Sequence, residues 1–176
     1  GIANTTASSA ILTVFSGAEL EHSVGRGTGI GTDALDKKRE VIRRAIKVNQ
    51  PDKRDGLDVL AKVGGLEIGG LAGVILGAAA NRVPVIIDGF ISSAAALIAA
   101  SLCPESRSYM IASHVSVEPG HKLMLDELAL KPMLFMNMRL GEGTGAALAS
   151  SLVEASCKVL AEMATEAHIA RVFIND

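Results

Sequence analysis

The sequence predicts a three-layer α/β fold, a mostly parallel sheet flanked by helices on a Rossmann-like plan, and three observations carry that prediction. Short apolar or β-branched runs alternate with helical segments through the second half of the chain: VPVIID at 83–88, YMIASH at 109–114 and MLFMNMRL at 133–140. Each run ends in polar residues, as strands do where they open onto a ligand crevice. An apolar share of 49% in 176 residues is enough for one buried core, so a single domain is expected.

Taken in order, GIANTTASSAILTVFSG at 1–17 reads as a helix, with Asn4, Thr5 or Thr6 available to cap it and Gly17 placed to end it. The chain opens without Met and with a helix almost at once, as a fragment of a longer protein would. After VGRGTGIGT at 24–32, Thr32 can cap a helix through DALDKKREVIRRAIKV, where Leu35, Val41, Ile42, Ala45 and Ile46 recur at helical spacing. NQPDKRDG at 49–56 is a polar loop. DVLAKVGG and LEIGGLAGVILGAAANR follow as small-residue helices, then the strand VPVIID, the apolar helix FISSAAALIAASL, the strand YMIASH, a helix over about 119–129, the strand MLFMNMRL and a long helix from about 144 to 165. RVFI near the end reads as a further strand or a tail.

Composition narrows the function. Lys plus Arg 17 against Asp plus Glu 19 gives a net charge of -2, so a nucleic-acid partner is not expected, and 3% aromatic residues leave little surface for stacking bases. Cys103 and Cys157 form no CxxC pair and read as buried free thiols. No basic, apolar, small-residue leader opens the chain, and a cytoplasmic protein is expected. Asn81, Arg82, Pro84 and Asp88 break the apolar region 68–103, which reads as core and not as a membrane span.

Three polar clusters follow the three strands: Asp88 with Gly89, then Ser113, His114 and Ser116, then Glu142 in RLGEGTGAALA. On a parallel sheet all three lie at one edge, and their convergence argues for a site where a lone acid would not. Glycines on both sides of Glu142 free the backbone for a close approach to a ligand; the plainer reading is a solvated acid in a turn, with Thr144 capping the next helix. Asp88 can equally cap its own following helix. His114 and His121, seven apart without a third ligand, do not make a metal site. VGRGTG ahead of a helix bearing Lys37 and Lys38 offers amides and ammonium groups to a phosphate, although no GK[ST] follows the glycines.

Six strings in order, GIANTT, VGRGTG, DVLAKVGGLEIGGLAG, VPVIIDGFISSAAAL, ASHVSVEPGH and RLGEGTGAALA, closely resemble the carboxyl-terminal half of the nicotinate-nucleotide:dimethylbenzimidazole phosphoribosyltransferase family. The resemblance runs from Gly1 to about Ala164, and the family's amino-terminal half is absent from this chain. It implies transfer of 5-phosphoribose from nicotinate mononucleotide to 5,6-dimethylbenzimidazole, giving α-ribazole 5′-phosphate and nicotinate for the lower ligand of cobalamin, without metal or cofactor. It also implies a homodimer and contacts with the absent half. The family's general base falls on Glu142 beside Gly141. Its phosphate and ribose contacts fall on Gly1, Asn4, Thr5, Gly27, Lys38, Asp88 and Gly89, with Glu67 and Ser116 as further lining. The alternatives are a related transferase that takes another base or a phenol as acceptor, and a non-catalytic nucleotide-binding or dimerisation fragment.

Overall fold

The computed structural model describes residues 3–27 and 29–167. Eight helices and four short strands order these residues: α1 (Thr5–Ser16), α2 (Leu20–Ser23), α3 (Thr32–Asn49), α4 (Gly56–Val63), α5 (Leu66–Ala80), β1 (Val85–Ile87), α6 (Phe90–Leu102), β2 (Met110–Ala112), β3 (His114–Ser116), α7 (Pro119–Leu128), β4 (Leu134–Met138) and α8 (Thr144–Glu162). A 3-10 turn over Pro104–Tyr109 links α6 to β2.

The core is built around α6. Residues Ser93 to Ala100 are all buried, because the run AAALIAA puts small side chains on every face and lets α1, α4, α5 and α7 pack closely against it. Ile11 and Leu12 of α1, Val59 of α4, Ile68 of α5 and Met124 and Leu128 of α7 fill the spaces between, each no more than 1% exposed. Helix α3 is amphipathic by contrast: only Leu35 and Ile42 are fully buried, and its charged face meets water.

Among the described residues both strand pairings are parallel, as the strand-helix alternation predicts. β1 lies beside β2 with Val85 opposite Met110 and Ile87 opposite Ala112, and β3 lies beside β4. Ser113 joins the two pairs, its N–H donating to Ile87 and its carbonyl accepting from Met133 and Leu134. The described residues thus hold two two-stranded sheets, β1-β2 and β3-β4, linked in sequence and by hydrogen bonds through Ser113. Between His114↔Leu134 and Ser116↔Met138 the register slips, and Asn137, with φ 51, takes up the extra length of β4. Such a bulge re-aims the ends of β3 and β4, which carry two of the polar clusters.

Several local expectations are corrected. Thr144 does not cap α8; it is the helix's first residue and its hydroxyl donates to Gly141 O at 2.7 Å. Gly31 and not Thr32 precedes α3, and Asn4 precedes α1 without a side-chain cap. Gly17 does end α1, in the left-handed conformation. Cys157 is exposed and Cys103 half-buried, so neither is the buried thiol expected; α8 turns most of its length outward, and with it the cysteine. The RVFI segment lies outside the described residues, as does Gly1. Among the described residues no helix is long and apolar enough to cross a membrane.

Candidate functional site

A cleft of about 760 Å³ opens at the carboxyl ends of β1, β3 and β4. All three polar clusters reach it, through Asp88 and Gly89, His114 and Ser116, and Gly141 and Glu142. Asn4, Thr5, Gly27 and Glu67 line it too, although their segments lie far away in sequence. Leu71, Val74 and Ile75 on α5, together with Phe90, form an apolar wall. A mostly apolar cavity of this size with a few converging polar groups is the usual form of a small-molecule site.

Glu142 stands in an uncommon backbone state. Gly141, Glu142 and Gly143 take φ values of 79, 56 and 78, three successive left-handed residues at the entrance to α8. Glycine adopts this region freely, and a side chain there costs about 1–2 kcal/mol, so the flanking glycines allow the one carboxylate to be set into the turn. The side chain is exposed at the cleft and makes no hydrogen bond among the described residues.

Asp88 does not cap its own helix. Its Oδ1 accepts from Ala146 N, the third residue of α8, at 3.0 Å and across 58 positions of sequence. A carboxylate on the first-turn amides also opposes the positive end of the helix dipole, so Asp88 fastens the Glu142 turn to β1.

Lys38 sits behind Thr5 and Gly27, and it is not among the residues that line the cavity. It donates to Thr5 Oγ1 at 2.9 Å and to Gly25 O at 3.0 Å, beside Gly27. Loss of solvent lowers its pKa, and the nearby carboxylate of Glu118 acts in the opposite direction. Two buried acceptors here have no partner among the described residues, Asn4 Oδ1 and Glu118 Oε2. Asn4 and Glu118 both line the cleft. Unmet buried acceptors of this kind call for a ligand or water to supply the missing protons.

The two histidines part company. His121 is fully buried: its Nδ1 accepts from Ser116 N at 2.8 Å, so Nε2 carries the proton and donates to Ser93 Oγ at 3.0 Å. Burial first, and then the charge of His114, push its pKa down to about 4, against a smaller opposing pull from Asp88. Both its nitrogens are occupied, so it cannot take a metal. His114 is held differently. Ser113 Oγ donates its one proton to Asp88 O at 2.8 Å, so it must accept from His114 Nδ1 at 2.9 Å.

Of the residues singled out from sequence, Asn4, Thr5, Gly27, Glu67, Asp88, Gly89, Ser116, Gly141 and Glu142 share the cleft, and Lys38 backs it through Thr5. Glu118, Arg139, Ser92 and the apolar wall of α5 were not singled out. Glu118 and Arg139 closely follow β3 and β4, and that position at the strand ends was the available signal.

The comparisons agree on one relationship. A family model described as phosphoribosyltransferase matches residues 1–170. A nicotinate-nucleotide--dimethylbenzimidazole phosphoribosyltransferase of Desulforamulus reducens is 62% identical over 165 residues, which are 94% of this chain and 47% of that protein. The protein of the same name from Chloroflexus aggregans is 66% identical over the same extents. The crystal structure of CobT from Thermus thermophilus superposes with a TM-score of 0.91 at 40% identity, over 97% of this chain and 50% of that one. The chain therefore spans about half the length of the relatives it matches.

Proposed function

This chain belongs to the phosphoribosyltransferase family, and from that premise we propose that it carries the nucleotide end and the base of a site that moves 5-phosphoribose from nicotinate mononucleotide to 5,6-dimethylbenzimidazole. The products are α-ribazole 5′-phosphate and nicotinate, the former serving as the lower ligand in cobalamin assembly. The observation that carries this reading is the sharing of one cavity by Glu142 and the corner formed by Asn4, Thr5 and Gly27. A carboxylate and a polar, lysine-backed corner in one cleft suit a substrate that carries both a reacting base and a phosphate.

The chemistry explains why one acid suffices. Nicotinate leaves from a cationic pyridinium nitrogen and needs no proton, so the acid of a glycosidase pair has no counterpart here. The incoming benzimidazole does carry an N–H. Glu142 takes that proton while the other ring nitrogen attacks the anomeric carbon, so positive charge does not accumulate on the nucleophile. Attack opposite the leaving group turns the β-glycosidic bond into an α bond. Lys38, desolvated and held by Thr5 and Gly25, lends positive charge to the phosphate corner with a donor to spare. A cytoplasmic, homodimeric enzyme fits this reading.

Replacement of Glu142 tests it in the full chain. Glu142→Gln keeps the shape and removes the base, and kcat should fall by about 10²- to 10⁴-fold with little change in nucleotide affinity. Unchanged turnover would assign the proton to another group. Dimethylbenzimidazole, adenine and p-cresol, offered in competition, identify the acceptor; preference for the phenol would favour the related transferase.

A further inference from the structure

The reaction above leaves one acceptor in the cleft without a task, the Nε2 atom of His114. Ser113 occupies the ring's Nδ1–H, and Nε2 has no partner among the described residues. With its proton on Nδ1, the tautomer that Ser113 selects, the ring presents a lone pair at Nε2. Although His114 is only 3% exposed, it lines the cleft, and the edge carrying Cε1 and Nε2 faces Gly89. A Cβ at position 89 would stand 3.4 Å from Cε1 and 3.6 Å from Nε2, across the approach to that lone pair, and glycine leaves the approach open.

The ring is also fixed before any ligand arrives. A Cβ at Gly145 would lie 1.9 Å from Nδ1, so α8 packs directly on the imidazole, and His121 meets it edge-on with centroids 5.8 Å apart. Ser113 ties it to the Asp88 carbonyl, which places the Asp88 carboxylate in the same neighbourhood with only one oxygen occupied by α8. An immobilised acceptor beside a second acceptor is suited to a ligand with two neighbouring donors.

We propose that His114 is a specificity-determining residue, its Nε2 accepting a hydrogen bond from one hydroxyl of the ribose diol while Asp88 receives the other. The inference rests on the phosphoribosyl reading of the cleft. Among the substrates, the phosphate and the nicotinate carboxylate only accept, and the benzimidazole N–H belongs to Glu142. The 2′- and 3′-hydroxyls are the donors that remain. Gly89 and Ser113 serve this contact by clearing the approach and fixing the ring.

The test uses the full chain with nicotinate mononucleotide and its 2′-deoxy and 3′-deoxy forms, read by titration calorimetry and by separate kcat and KM values. The wild-type protein should hold both deoxy forms more weakly than the ribonucleotide, and the one that lacks the hydroxyl facing His114 about tenfold more weakly, the value of one ordinary hydrogen bond. His114→Ala should weaken the ribonucleotide by a similar factor and leave that deoxy form unaffected, since both changes remove the same bond. His114→Gln, whose amide oxygen reaches the place of Nε2, should restore most of the affinity, whereas His114→Asn, which reproduces only the Nδ1–H link, should not. Equal wild-type affinity for all three nucleotides overturns the proposal without any variant. Rescue by Asn and not by Gln also overturns it, since the histidine would then act only through Ser113. Failure of the wild-type protein to bind nicotinate mononucleotide at all would instead remove the phosphoribosyl reading on which the proposal stands.

Discussion

Single residues here derive their chemistry from partners that sequence does not place nearby. His114 and His121 stand seven apart and look alike in the sequence, yet His121 is fully buried, bonded to Ser93 28 positions away, and burial makes it a neutral structural group. That burial has a consequence for stability. The pKa of His121 drops from 6.5 to about 4 on folding, so between those values the unfolded chain holds a proton that the folded chain refuses. Its contribution is complete above pH 6.5 and is lost as the pH falls toward 4, on the order of 3 kcal/mol over the whole window. Urea midpoints measured at pH 7.5, 5.5 and 4.5 should fall in that order. In His121→Gln, which does not titrate, the decline across this window should be visibly shallower; an identical decline would place the proton uptake elsewhere. Glu142 was more legible, because the Gly-Glu-Gly string by itself declares a permissive backbone, and the three left-handed φ values answer to it.

At the scale of elements, the strand and helix alternation was readable because periodicity and residue size are local. FISSAAALIAASL coincides with α6 from end to end, and all three expected strand regions form. Caps were not readable in the same way. Thr144 has the composition of an N-cap, but Gly143 lies in the left-handed region and the capping oxygen comes from Asp88 on another element. This arrangement makes α8 depend on β1. Asp88→Ala should cost about 0.5–2 kcal/mol in denaturant unfolding. Asp88→Asn, which keeps an acceptor for Ala146 N, should recover part of that loss but not the charge opposite the helix dipole. Gly145→Ala attacks the same junction from the other side: with a methyl driven onto His114, a loss of about 1–3 kcal/mol is expected. If both Asp88→Ala and Gly145→Ala unfold at the wild-type midpoint, the junction contributes nothing to stability and the two contacts are incidental.

For the whole molecule, the described surface carries an open strand edge. β4 pairs with β3 along one side, and among the described residues no strand covers its other side; Phe135 at 76% and Met136 at 58% exposure stand on it. Leu160 on α8 is 89% exposed and Leu66 on α5 is 96% exposed. Apolar side chains scattered singly are ordinary, but a bare strand edge with its large residues in water is a template for pairing. The homologous segment occupies about half of each longer relative, which has further chain to set against such an edge. No periodicity within 176 residues announces this, because a pattern shows that a face is apolar and not what meets it. The 176-residue chain on its own should therefore self-associate through β4. Multi-angle light scattering across a concentration series should show mass rising with concentration. Phe135→Lys, which puts a charge on the pairing edge, should shift that series toward the monomer, while Leu66→Lys on α5 should leave it nearly unchanged. Equal suppression by both lysines would mean diffuse hydrophobic association, and a monomer at every concentration would mean that β4 is adequately protected as it stands.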